Sequence, residues 1–223
     1  MDMGQFAVIG MGRFGRSLAV TLHRLGHQVL AIDKNEEALR AVSDEVTHAV
    51  QLDSTDEEAL RGVGITNFDA VVVAIGDFIE ESILTTLLLT ELGCEKIVAK
   101  AVDDRQGKVL ERVGAHLVVY PERDMGIRIA HTLAAPGVLD YLELSPTFSI
   151  EELSIPESMT GRTLGQLDLK SRFGVSVLLI RRDGQLMISP SPETRLQTGD
   201  VLVVVGENRQ LSRLEANLEP SGK

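Results

Sequence analysis

Residues 6–15 read FAVIGMGRFG, an apolar run that delivers the chain into glycines at 10, 12 and 15 and straight on into RSLAV. In that spacing Gly10 permits a tight turn, Gly12 lets backbone approach a phosphate, and Gly15 lets a helix pack on the strand. A helix starting there offers unpaired N–H groups and a partial positive charge to an anion. The pattern carries meaning only with a strand before it, a helix after it and an acid about 20 residues on. All are present, the acid being Asp33 at the end of QVLAID. Asp33 is placed to accept hydrogen bonds from ribose hydroxyls and to repel a 2′-phosphate, which argues against NADP. Two plainer readings stand beside these. The glycines could serve compact packing alone, and Asp33 could cap the helix that begins after Asn35; the two roles of Asp33 can coexist.

The rest of the first half repeats the same alternation. Strands are expected at Gln5–Ile9, Gln28–Ile32, Thr47–Gln51, Ala70–Ala74, Lys96–Ala99 and Leu117–Tyr120. Helices are expected at 13–25, 36–44, 56–62, 80–92 and 105–113. Most strand runs are β-branched and lack polar alternation, as in parallel strands buried on both faces. Strand–helix alternation of this kind implies a doubly wound parallel sheet. Gly26, Gly93 and Gly114 stand where helices should end in a left-handed cap. A further helix is expected over 122–133, stopped by Ala134-Ala135-Pro136-Gly137, then a short helical piece over Val138–Leu142. From about residue 147 the strand runs FSIEELSIP, SVLLIRRDGQLMISP and VLVVVGEN, with turns at Asp183-Gly184 and Gly199-Asp200, indicate a small α+β lobe. Glu207–Leu218 reads as an amphipathic helix. The expected domains are 1–121, a helix and linker over 122–146, and 147–223.

Composition limits the function. A net charge of −11 disfavours broad binding to nucleic acid or anionic lipid, and no Lys/Arg-rich run appears. The single cysteine, Cys94, excludes an intrachain disulfide and any CxxC motif. The start lacks a signal-peptide pattern, and runs such as Ala70–Ile75 and Val201–Val205 are far below the ~20 residues that span a bilayer. A cytoplasmic protein is expected, with no direct membrane insertion. Ligands of such sheets bind at the carboxyl ends of the strands. Asp53 and Ser54, then Ala74, Ile75 and Gly76, then Lys100 and Glu122 all fall there. With Gly10, Met11, Gly12, Arg13, Phe14, Gly15, Asp33 and Lys34 they form the candidate nucleotide site. Lys100 could contact phosphate or stand as a solvated strand-end lysine. Glu122 could hold a divalent cation on phosphates or simply supply negative charge to a helix N-terminus. His23, His27, His48, His116 and His131 fall on helices, the turn after one, or strand starts, without catalytic spacing to an acid. The residues therefore point to a nucleotide-sensing module rather than an enzyme, an NAD-linked oxidoreductase being the competing class and a free-standing nucleotide sensor a third.

The segments FAVIGMGRFGRSLA, VLAIDKNEEAL, VVVAIGDFIEESILTTLLLTELG, KVLERVGAHLVVYPERDMGIRIA and SPSPETRLQTGDVLVVVG resemble the cytoplasmic regulatory subunits of Ktr/Trk-type potassium transporters, built from the RCK (KTN) domain. The resemblance covers nearly the whole chain and is closest to the single-copy Ktr subunits. It implies a Rossmann-like RCK_N domain, a crossover helix after Pro121 and a small α+β RCK_C lobe. It implies a homodimer assembling into a homo-octamer under a membrane potassium-translocating subunit (KtrB-like), and peripheral attachment to the inner face of the membrane through that partner. ATP would favour the active state and ADP the inactive one. Arg13 would reach the γ-phosphate in the neighbouring subunit's site, Asp33 the ribose and Lys100 the phosphates. Glu122 would lie near the phosphates and a Mg2+ or Na+ ion. Some members bind cyclic di-AMP between paired C-terminal lobes; the matching stretch is LKSRFGVSVLLI with Pro190, and Lys170 stands where the binding members carry arginine.

Overall fold

The computed structural model describes residues 3–135 and 137–218, so Pro136 lies outside the described residues. The chain divides into two compact units, 1–122 and 123–223. In the first, six parallel strands are ordered β3-β2-β1-β4-β5-β6. They are β1 (Gln5–Ile9), β2 (Gln28–Asp33), β3 (His48–Gln51), β4 (Ala70–Val73), β5 (Ile97–Lys100) and β6 (Leu117–Val119). Val8 stands between Ala31 of β2 and Val72 of β4, so the strand order reverses beside β1. Helices α1 (Arg13–Arg24), α2 (Glu36–Arg40), α3 (Glu57–Gly62), α4 (Ile79–Leu92) and α5 (Asp104–Arg112) connect the strands. One buried cluster holds Ile9, Ile32, Leu60, Leu89, Ile97 and Leu110; another holds Val8, Ala19, Val29, Ala31, Leu39 and Val72. Burial on both faces is why the inner strands β1, β2, β4 and β5 carry no alternation, whereas the edge strands β3 and β6 are only partly covered.

Local chemistry sets the boundaries. Gly26, Gly93 and Gly114 have φ of +89°, +85° and +107°, the left-handed conformation that stops a helix. The helix expected over 36–44 is shorter. It ends at Arg40, and Ser43–Glu45 forms a separate tight turn of 3-10 type.

Helix α6 (Pro121–Ala134) runs from the end of the first unit into the second. Its start places Pro121 where a missing N–H costs nothing. Five antiparallel strands then follow in the order β10-β9-β11-β8-β7. They are β7 (Val138–Ser145), β8 (Phe148–Ser154), β9 (Ser176–Arg182), β10 (Gln185–Ile188) and β11 (Val201–Glu207), with short helices α7 (Leu164–Leu167) and α8 (Leu169–Phe173) and a final α9 (Asn208–Leu218). Here the sequence expectation is corrected: Val138–Leu142 is strand, hydrogen-bonded to β8, not helix. Its register shifts between Val138 and Asp140, which puts buried Val138 and Tyr141 three residues apart, a spacing that mimics a helical face. Leu153, Leu167, Val175, Ile180, Leu196, Val204 and Leu211 form the core of this unit. Arg182 grips buried Asp200 through Nε and Nη2, each at 2.7 Å, and the Gln197 N–H donates to the same carboxylate at 2.8 Å. Burial pushes the Asp200 carboxyl up, yet these hydrogen bonds outweigh it and hold the group below the usual range.

Candidate functional site

The loop between β1 and α1 shows what each glycine is for. Gly10 has φ +98°, and a Cβ there would lie 3.1 Å from the backbone of Ala74 and Ile75. A Cβ on Gly15 would fall 1.9 Å from the Gly10 carbonyl oxygen. Both positions are therefore explained by packing. Gly12 is different: its φ is −65°, and an added Cβ would meet nothing within 4 Å. Neither strain nor crowding inside the chain requires a glycine there.

Gly12 is also the N-cap of α1, and no side chain caps it. Three other helices on this sheet end are closed by their own sequence, while α4, which follows Phe78 without a side-chain cap, carries Glu80 and Glu81 in its first turn. Asn35 accepts from the Glu37 N–H, Asp56 from those of Glu58 and Ala59, and Asp103 from those of Arg105 and Gln106. Helices α2, α3 and α5 carry acids in their first turns, whereas α1 has none and begins with Arg13. No side chain of its own first turn offsets the positive end of α1.

An open cleft lies over this point, at the carboxyl ends of the strands. Of the sequence candidates, Gly10 and Gly12 line it from the first loop, Asp33 from the end of β2 and Lys34 just after it, Asp53 and Ser54 from after β3, and Ala74, Ile75 and Gly76 from after β4. Asp33 holds the first loop directly: its Oδ2 accepts the Met11 N–H at 2.6 Å, while Oδ1 accepts that of Asn35 at 2.8 Å. The Asp53 carboxyl is held low, first by the Thr55 hydroxyl at 2.7 Å and then by the Thr55 N–H. Ser54 is buried, its hydroxyl 2.9 Å from that of Thr85 on α4.

Other candidates lie outside the lining. Met11 is buried and Phe14 packs on the same core cluster, so their side chains serve the fold. Gly15 is buried under the loop. Arg13 is exposed and makes no ion pair among the described residues. Lys100, the buried end of β5, puts its Nζ 2.6 Å from Glu122 Oε1 and next to Gly76, whose added Cβ would lie 3.0 Å from it. That hydrogen bond, above all, lowers the Glu122 pKa, and the Arg13 charge adds to the effect. Arg13, Lys100 and Glu122 thus form one charged group beside the cleft. Among the described residues no cluster of three or more His, Cys, Asp or Glu could hold a metal alone.

The cleft also contains residues that sequence reasoning missed: Ile9, Leu52, Asp77, Phe78 and Glu81. Lys34 Nζ lies 2.5 and 2.8 Å from the two Glu81 oxygens and 4.2 Å from the centre of the Phe78 ring. The signal was the position of Asp77-Phe78 in the loop after β4, at the same sheet end as the glycine loop. In the second unit, Asp168, Lys170, Val175, Val177 and Pro190 border one concavity, bringing together much of the stretch singled out for cyclic di-AMP.

Fold and sequence together define the class. Residues 6–121 match the TrkA-N domain and residues 150–219 the TrkA-C domain. The chain is 43% identical over 211 residues to Ktr system potassium uptake protein A of Bacillus subtilis (strain 168), covering 95% of both chains. It is equally 43% identical to Ktr system potassium uptake protein C of the same organism, over 95% of this chain and 96% of that one. The chain belongs to this Ktr family of potassium-uptake regulatory subunits, which carry TrkA-N and TrkA-C domains. A solved structure described as the GsuK channel bound to NAD shares the fold, with a TM-score of 0.69 and 21% identity. All of this chain aligns to it, spanning 40% of that longer chain.

Proposed function

We propose that the chain binds ATP or ADP in the cleft of its first unit and reports which is bound to a membrane potassium-translocating subunit. The observation that carries this reading is the α1 N-terminus, uncapped, free of acids and approached through Gly12, whose missing side chain nothing inside the chain requires. Asp33 is the acceptor for ribose hydroxyls. Lys100, buried beside Gly76, is the cation for phosphate, and phosphate oxygens would compete with Glu122 for it. Glu122 fits a hard cation as one ligand of several, with phosphate oxygens and water completing the set for Mg2+ or Na+. A nucleotide triphosphate supplies the extra charge that distinguishes the two ligands.

Arg13 is the residue able to read that charge. It is exposed, begins the helix and lacks an ion-pair partner among the described residues, so it is available to a γ-phosphate in a neighbouring copy of the chain. Guanidinium–phosphate contacts are strong and demand geometry, which gives ATP and ADP the differential contact that a switch needs. A homodimer within a homo-octameric ring is the assembly this requires. The concavity bounded by Lys170 and Pro190 is the matching place for cyclic di-AMP in the second unit.

Calorimetric titration of the full chain with ATP, ADP, NADH and cyclic di-AMP, with mass measurement of the assembly, tests the reading. ATP and ADP should bind, and Arg13→Ala should weaken ATP by about tenfold or more while changing ADP little. Equal losses for both nucleotides would remove Arg13 from the switch. Tight NADH binding with weak ATP binding would overturn the nucleotide assignment.

A further inference from the structure

We propose that Glu81 makes the ribose end of the cleft selective for nucleotides with a free 2′-hydroxyl, by neutralising Lys34. The inference rests on the reading above that places a nucleotide ribose at Asp33. In sheets of this type, an acid at the end of the second strand takes the ribose hydroxyls, whereas a neighbouring cation accommodates a 2′-phosphate. This chain carries both in succession, Asp33 and Lys34, and both line the cleft. The acid alone therefore does not settle which ribose is accepted; the state of the adjacent ammonium decides.

The geometry points to Glu81. Both of its oxygens lie within hydrogen-bond distance of Lys34 Nζ, at 2.5 and 2.8 Å, and the Phe78 ring lies against the same ammonium. The pair is about half exposed on the lysine side and a third on the glutamate side, so it adds little to the stability of the fold. Its effect falls on the cleft. Asp33, Asp53, Asp77 and Glu81 face a single ammonium there, and that ammonium is already engaged. A 2′-phosphate would bring about two negative charges to a wall that is already negative. A 2′-hydroxyl asks only for an acceptor, which Asp33 supplies. Removing the Glu81 charge frees Lys34 to pair with phosphate and takes one carboxylate from the wall.

Glu80 provides the internal control. It sits beside Glu81 in the first turn of α4, is exposed and does not line the cleft. Glu80→Gln removes the same charge from the same helix end without releasing Lys34. The test is equilibrium titration of the full chain with ADP, and with AMP and adenosine 2′,5′-bisphosphate, which differ only by the 2′-phosphate. The wild-type chain should prefer AMP. Glu81→Gln should shift the ratio of the two dissociation constants by about tenfold toward the bisphosphate. The Glu80→Gln ratio should match wild type, and adding Lys34→Ala to Glu81→Gln should abolish the gain. An unchanged ratio in Glu81→Gln, a gain that survives without Lys34, or an equal gain in Glu80→Gln would each overturn the proposal. Binding of ADP together with any of those results leaves the nucleotide reading standing. Absence of ADP and AMP binding to the wild-type chain overturns that reading and this inference with it.

Discussion

Gly12 and Gly15 belong to one motif but answer to different demands, and substitution separates them. Gly15→Ala drives a Cβ into the Gly10 carbonyl, a backbone collision that should cost about 3 kcal/mol or more. Gly12→Ala meets open space at an ordinary φ and should cost no more than about 1 kcal/mol, the difference expected of an N-cap. Nucleotide affinity should reverse the order of interest: Gly12→Ala should remain folded yet lose about tenfold or more in ATP binding. Thermal unfolding and titration of both variants check this, and unaltered affinity in Gly12→Ala would return the whole motif to packing. At this scale the sequence was informative where one residue ends an apolar run, as with Asp33 and Lys100. It was silent on Glu81, because Glu80 and Glu81 are neighbours of the same type and only the fold places one of them against Lys34.

Strand β8 and helix α9 meet through a pair of carboxyls. Glu151 is 4% exposed and packs beside Glu215 of α9. Burial, together with the Glu215 charge and hydrogen bond, pushes the Glu151 carboxyl up to about 8. Below that value Glu151 holds a proton, which relieves its repulsion with Glu215. The native state then holds a proton that an unfolded glutamate releases near 4.5, so stability declines as pH rises from about 4.5 toward 8 and then levels off. Glu151→Gln, neutral at every pH, should remove that decline and raise the melting temperature at pH 8.5 by several degrees, about 4–8 °C for each kcal/mol recovered in a unit of this size. Melting curves of both proteins between pH 5 and 9 decide it; parallel curves would exclude the carboxyl pair as the cause. Elements were legible where local pattern and tertiary demand agree. The inner parallel strands are short apolar runs because both faces are buried, and the limits of all six lie within a residue of expectation. Strand β7 was not legible, because its irregular register copies helical spacing and its partner β8 lies across a hairpin. Helices α7 and α8 are too short to show a period; α7 is held by a capping box between Thr163 and Gln166.

The whole molecule carries a net charge of −11, and among the described residues no helix is long and apolar enough to cross a membrane. Anionic lipid should therefore repel it, and attachment to the membrane should run through a protein partner. In cosedimentation with vesicles of anionic phospholipid at physiological salt, the chain should stay in the supernatant; salt-sensitive pelleting would show a lipid contact of its own. The change to an antiparallel lobe was readable in the sequence, but its sheet begins with β7 at Val138, inside the stretch expected to be a helix and linker. If the nucleotide reading proposed above holds, the Asp33–Met11 hydrogen bond has a kinetic consequence. The chain itself fastens the phosphate loop, so an arriving nucleotide has little backbone left to immobilise, and a departing one leaves the loop set for the next. Exchange is then paced by ligand release rather than by refolding of the site. A regulator built this way can follow a changing nucleotide ratio at the speed of dissociation.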